Sequence, residues 1–146
     1  MIGETRYMRY MDKISVVINR IDLIDKWIEE KPIPDLVRDE KTKLAIYKAF
    51  QEVVEALMDI IAMICGDLCI GPKDDYTNIE VLVSEEIISL DYARILREAN
   101  GLRNKLIHWY NKINDEIALK SIHRLRIPLR ETIKVIIEWL KKQLEK

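Results

Sequence analysis

Cysteine and histidine are scarce in this chain, and net charge is almost absent. Only two cysteines occur, Cys65 and Cys69, four apart in MICGDLC. With no histidine cluster beside them they do not make a zinc site. They read as small buried apolar residues near a helix end, and their scarcity fits a reducing cytoplasm. The two histidines, His108 and His123, lie far apart in the chain. Twenty-four basic residues face 25 acidic ones, for a formal net charge of −1. No global basic field therefore advertises nucleic acid, and any RNA contact must rely on a local patch. No apolar run approaches the roughly 18 residues of a membrane span, and MIGETRYMRY lacks the apolar core of a signal peptide. The expected location is the cytoplasm, away from any membrane. Glutamine is also rare, while 34% of residues are charged. That combination points to a thermophilic source.

What is present is helical periodicity, with no alternating strand pattern, internal repeat or low-complexity tract. Ile14, Val17, Ile18, Ile21, Ile24 and Ile28 recur at three and four, the spacing of one helix face. EEKPIPD interrupts it, because two prolines cannot continue a helix. Asp35 or Asp39 can cap a second helix that carries Leu44, Tyr47, Phe50, Val54, Leu57, Ile61 and Ile64 and ends near CGD. CIGPKDDYTN reads as a loop, IEVLVSE as a short helix, and Ser84 or Ser89 as the cap of a third main helix. That helix runs through LDYARILREAN and on into GLRNKLIHWY, with Gly101 a break or a weak point in it. Asn114, followed by two acids, is a good N-cap for the last helix. This helix carries Ile117, Ile122, Leu125, Leu129, Ile133, Ile136, Leu140 and Leu144, and Pro128 should kink it or split it. The expectation is a single all-α domain over residues 1–146, an antiparallel bundle of four to five helices.

Residues 101–110, GLRNKLIHWY, concentrate the chemistry. On a wheel of about 100° per residue, Leu102, Leu106 and Trp109 fall on the apolar side. Asn104 and His108 face away from it, one turn apart. Arg103 and Tyr110 lie almost in line at the edge of the apolar stripe, and Lys105 adds a positive charge. This set suits phosphate chemistry. An imidazole, with an ordinary pKa of about 6.5, can give or take a proton near neutral pH. A guanidinium offers a planar fork to a phosphate and can stabilise a pentavalent transition state. No carboxylate cluster in this stretch can hold Mg²⁺, so the expected chemistry needs neither metal nor cofactor. With RNA, a histidine base could deprotonate a ribose 2′-OH that attacks its own phosphodiester, a route closed to DNA. His123, in the charged SIHRLR turn, reads as solvated surface.

RNKLIHWY reads Arg-x4-His-x-Tyr, with Asn after the Arg and Gly two before it. It resembles the signature of the HEPN superfamily, and more closely its HepT-like branch. The motif lies about two-thirds along the chain, INDEI follows and opens the last helix, and IPLRETIKVII interrupts that helix with a proline. The resemblance covers essentially the whole chain, although only residues 101–117 are specific. It implies an all-helical homodimer that acts as the metal-independent endoribonuclease toxin of a toxin–antitoxin pair. The implied partner is a minimal nucleotidyltransferase antitoxin that transfers AMP to the motif tyrosine. Carried over by position, Arg103 and His108 are the catalytic pair, Asn104 supports them, Arg103 and Lys105 bind RNA phosphate, and Tyr110 accepts AMP. Two-fold symmetry would gather two Arg and two His into one cleft, so that one His serves as base and the other as acid. Trp109 departs from the family pattern, where a smaller or charged residue is usual. It either packs on the apolar side or narrows the groove at a dimer contact. The alternative is a binding module that holds a nucleotidyltransferase or a nucleotide without cleaving anything.

Overall fold

In the computed structural model, residues 2–145 are described, and every element among them is helical. The α-helices are α1 (Glu4–Ile28), α2 (Ile33–Arg38), α3 (Glu40–Asp67), α4 (Asp75–Ser84), α5 (Leu90–His108) and α6 (Asp115–Glu145), with a 3-10 turn at Tyr110–Lys112. Six helices thus replace the expected four to five. The difference lies in α2, a six-residue turn that opens on Pro32 as N-cap and carries Pro34 in its first turn. Proline is tolerated there because the first-turn amides have no helical partner anyway.

α1 and α3 lie antiparallel. Successive ion pairs record the direction: Arg6 with Asp67, Lys13 with Asp59, and Arg20 with Glu52. α6 returns antiparallel to α1, since Arg130 meets Asp22 and Asp25 while Arg126 meets Asp25 and Glu29. Between these charged edges sit the expected Ile14, Val17, Ile21, Ile24 and Ile28 of α1, which Tyr10 extends by one turn, with Tyr47, Phe50, Val54, Leu57, Ile61 and Ile64 of α3, all buried. Burial of each such side chain stabilises the fold by about 1.5–3 kcal/mol. α5 packs on α4, α3 and α6.

The caps settle open points of the pattern. Asp39 rather than Asp35 caps α3, accepting from the Thr42 amide. Lys31 and Thr42 together hold its carboxyl at about 2, well below the usual carboxylate range. Ser89 rather than Ser84 caps α5. α4 begins at Asp75, capped by Asp74, so the DYTN half of the expected loop is helical. Gly101 does not break α5. α6 is not split at Pro128 either. Loss of one backbone hydrogen bond there is offset by Leu125, Leu129 and Ile133, all buried on the same face. Thr132 Oγ1 also donates to the Pro128 carbonyl at 2.8 Å.

Some apolar positions belong to no stripe. Ile18, Leu44, Ile117 and Leu144 are exposed. Cys65 is buried as expected, but Cys69 is exposed. It lies past the end of α3 with φ of 61°, where the chain turns in the left-handed region and carries the side chain away from the core.

One polar cluster fixes the start of α6. Asn114 accepts from the Ile117 amide as the expected N-cap. Asp115 accepts from Tyr47 Oη at 2.6 Å and from Lys43 Nζ at 2.9 Å, both on α3. Burial disfavours its charge, but these two donors outweigh that and hold its carboxyl below the usual range. A depressed carboxyl contributes stability that is complete above its unfolded value and fades as the pH falls through the folded one. Asp115→Ala is therefore expected to cost about 1–3 kcal/mol at neutral pH, because Lys43 and Tyr47 keep their burial and lose an acceptor. Urea unfolding should show this gap, and the gap should narrow below about pH 4.

Candidate active site on helix α5

α5 positions the motif and then stops. Its last helical residue is His108, Trp109 is the C-cap, and the Trp109 amide donates to the Lys105 carbonyl at 2.8 Å. Tyr110 opens the 3-10 turn, and Asn114 and Asp115 then start α6. The whole His108–Lys112 tip is thus a short bridge between two anchored helices.

Arg103 departs from the wheel. It was expected at the rim, flanking Asn104 and His108, yet its side chain is only 9% exposed. Its NH1 donates to Glu55 of α3 at 2.6 Å, and its NH2 donates to Asp75 of α4 at 3.1 Å and to Asn100 at 2.7 Å. Its Nε donates to Asn104 Oδ1 at 2.9 Å. A guanidinium has five N–H donors, so one NH1 hydrogen has no partner among the described residues. The reason for the burial lies outside the local sequence. Glu55 and Asp75 arrive from 48 and 28 residues away and supply the countercharges that make burying an arginine tolerable.

The sequence excludes a carboxylate cluster only within the motif stretch, and these two acids come to it from other helices. Both are engaged by Arg103, and among the described residues no group of three or more His, Cys, Asp or Glu is assembled that could hold a metal ion. Of the residues read from the sequence, Arg103 and Asn104 touch. His108 lies further along α5, exposed and without a hydrogen-bond partner among the described residues, and Lys105 is exposed. Glu55, Asp75 and the buried Asn100 were missed. Asn100 was findable, since it precedes Arg103 by three on one helix; the two acids were not.

The residues after His108 also leave the wheel, because the helix has ended. Trp109 does not pack on the apolar side but is 55% exposed, and Tyr110 is 76% exposed. They look into different grooves. Trp109 lines one of about 740 Å³ between α5 and α6, with Leu102, Lys105 and Lys112. Tyr110 lines one of about 420 Å³ against α3, with Lys48, Gln51 and Leu44. His123 is exposed beside Glu29, 3.4 Å away. No helix among the described residues is long and apolar enough to cross a membrane.

Solved structures share this all-helical fold. A tri-AMPylated HEPN toxin from Shewanella oneidensis, in complex with an MNT antitoxin, superposes with a TM-score of 0.80 at 21% identity, covering 88% of this chain and 96% of that one. A cytosolic protein of unknown function from Bacillus subtilis gives 0.81 at 15% identity, covering 95% and 93%. The family described as Ribonuclease HepT-like matches residues 17–136, and the chain belongs to it. A relative from Archaeoglobus fulgidus, named "Putative RNase", is 31% identical over 94% of this chain and 97% of its own length. The archaeal source of this relative fits the thermophilic reading of the composition.

Proposed function

We propose that this chain is the endoribonuclease toxin of a toxin–antitoxin pair, a single cytoplasmic domain acting as a homodimer on RNA. One observation carries the reading: in a chain of the HepT-like family, His108 stands free at the end of α5, on the same helix as an Arg103 held in place by four protein partners. The relative named as an RNase supports the reaction class, and the toxin–antitoxin neighbours support the biological setting.

The mechanism follows from the groups present. His108 of one protomer takes the proton from a ribose 2′-OH. The 2′-oxygen attacks the adjacent phosphorus, and the O5′ bond breaks. The leaving oxygen is protonated by His108 of the second protomer, which yields a 2′,3′-cyclic phosphate and a 5′-OH. Arg103, oriented by Asn104 and Glu55, offers its remaining N–H to the phosphoryl oxygens as charge builds there. Lys105 draws the RNA backbone to the cleft. No step requires a metal or a cofactor. A minimal nucleotidyltransferase silences the toxin by adding AMP to Tyr110, which places a bulky anion beside the site.

The binding-module reading draws on one feature. With four of its five donors engaged, Arg103 is also what a purely structural arginine looks like. A DNA oligonucleotide with a single internal ribonucleotide separates the two. The nuclease is expected to cut it once, after the ribose, leaving a cyclic phosphate seen by mass spectrometry. Cutting of the all-deoxy control would overturn the 2′-OH mechanism, and no cutting of either by unmodified protein would favour the binding module.

A further inference from the structure

We infer that the groove beside Trp109 is a subsite for single-stranded RNA, in which the indole stacks on a nucleobase next to the scissile phosphate. The inference rests on the nuclease reading above and adds to it a residue that the motif does not include.

The local fold presents the ring deliberately to solvent. Because α5 ends at His108, Trp109 leaves the apolar stripe and stands 55% exposed, although an indole is mostly buried in folded proteins. The 3-10 turn then brings the chain back on itself. The Lys112 amide donates to the Trp109 carbonyl at 2.9 Å, and the Lys112 ammonium lies over the indole, 5.5 Å from its centroid. The groove of about 740 Å³ that Trp109 lines thus holds an aromatic ring with Lys112 on it and Lys105 one turn before it.

Charge decides what the groove suits. Neither Lys105 nor Lys112 forms an ion pair among the described residues, whereas its acid, Glu98, is bound by Arg124. The groove is therefore locally positive on a protein whose net charge is −1. The indole face opposite Lys112 can take a base. The Lys105 and Lys112 ammonium groups, which pair with no carboxylate among the described residues, can meet the neighbouring phosphates, directly after the candidate base His108. This matches what an unpaired RNA strand offers. A second protein copy would gain from the apolar lining of Leu102 and Ile117 but would leave two lysines without countercharge.

The test uses the intact, unmodified protein and a fluorescein-labelled 2′-O-methyl oligonucleotide of ten mixed nucleotides, which binds but lacks the nucleophile. Cleavage of the same sequence as RNA is followed in parallel. Trp109→Ala is expected to weaken binding about tenfold, the usual value of one lost base stack, and Trp109→Phe to recover most of it. In cleavage, KM should rise while kcat changes little. Trp109→Ala that binds and cleaves like the wild type would overturn the subsite and leave the nuclease reading standing. Loss of binding accompanied by a lower mass in light scattering would assign the groove to a second copy, and overturn it too. A wild type that neither binds nor cleaves would remove both readings.

Discussion

Arg103→Ala is expected to lower RNA cleavage by at least about 10²–10³-fold, the usual loss when one charge-stabilising donor is removed from a transition state. It should also lower stability, but less than the four lost hydrogen bonds suggest. The Glu55 side chain is 64% exposed and the Asp75 side chain 38%, so water can take over both carboxylates. Asn100, 1% exposed, cannot be rehydrated in the same way. A loss of about 1–3 kcal/mol follows, mostly from its orphaned oxygen. Arg103→Lys separates the two effects. A lysine keeps the charge beside Glu55 and Asp75 and can donate to the buried Asn100 oxygen, but it cannot fork across Asn104 and a phosphate as well. It should recover most of the stability and little of the rate. Urea unfolding beside steady-state cleavage checks both; an Arg103→Lys variant with wild-type cleavage would show that only the charge matters.

Tyr110→Phe should have an all-or-none effect on silencing. Tyr110 is 76% exposed and sits two residues past the candidate base, so a transferase can reach its phenol. The phenolic oxygen attacks the α-phosphorus of ATP, pyrophosphate leaves, and the phenol proton is lost. Co-expression with a cognate nucleotidyltransferase should add one or more AMP masses to the wild type and none to Tyr110→Phe, and only the wild type should lose nuclease activity. A mass shift that persists in Tyr110→Phe would place the acceptor elsewhere. The phenylalanine variant should fold as the wild type does, because the hydroxyl makes no hydrogen bond among the described residues.

The fold was legible where periodicity and caps were strong. The stripes of α1 and α3, Asn114 as a cap and the continuous run of LDYARILREAN into the motif all depend on spacings of three and four, which a sequence displays directly. Of the two outcomes the proline rule allowed at Pro128, a kink or a split, the split does not occur, because Leu125, Leu129 and Ile133 are buried on one face across it. The site was legible in part. Its residue types stand together in RNKLIHWY, but their orientation does not follow from a wheel that assumes the helix continues. It ends at His108, which frees Trp109 and Tyr110. Nor could the environment of Arg103 be read locally, since Glu55 and Asp75 belong to two other helices.

The central claim is that His108 serves a nuclease that needs no metal. It is tested most directly by RNA cleavage in EDTA, using protein whose intact mass shows no AMP, with His108→Ala beside it. The expected result is cleavage that persists in EDTA and falls by about 10²–10⁴-fold in the variant, the usual contribution of a positioned acid–base group. Cleavage that EDTA abolishes, or that His108→Ala retains in full, would contradict the account.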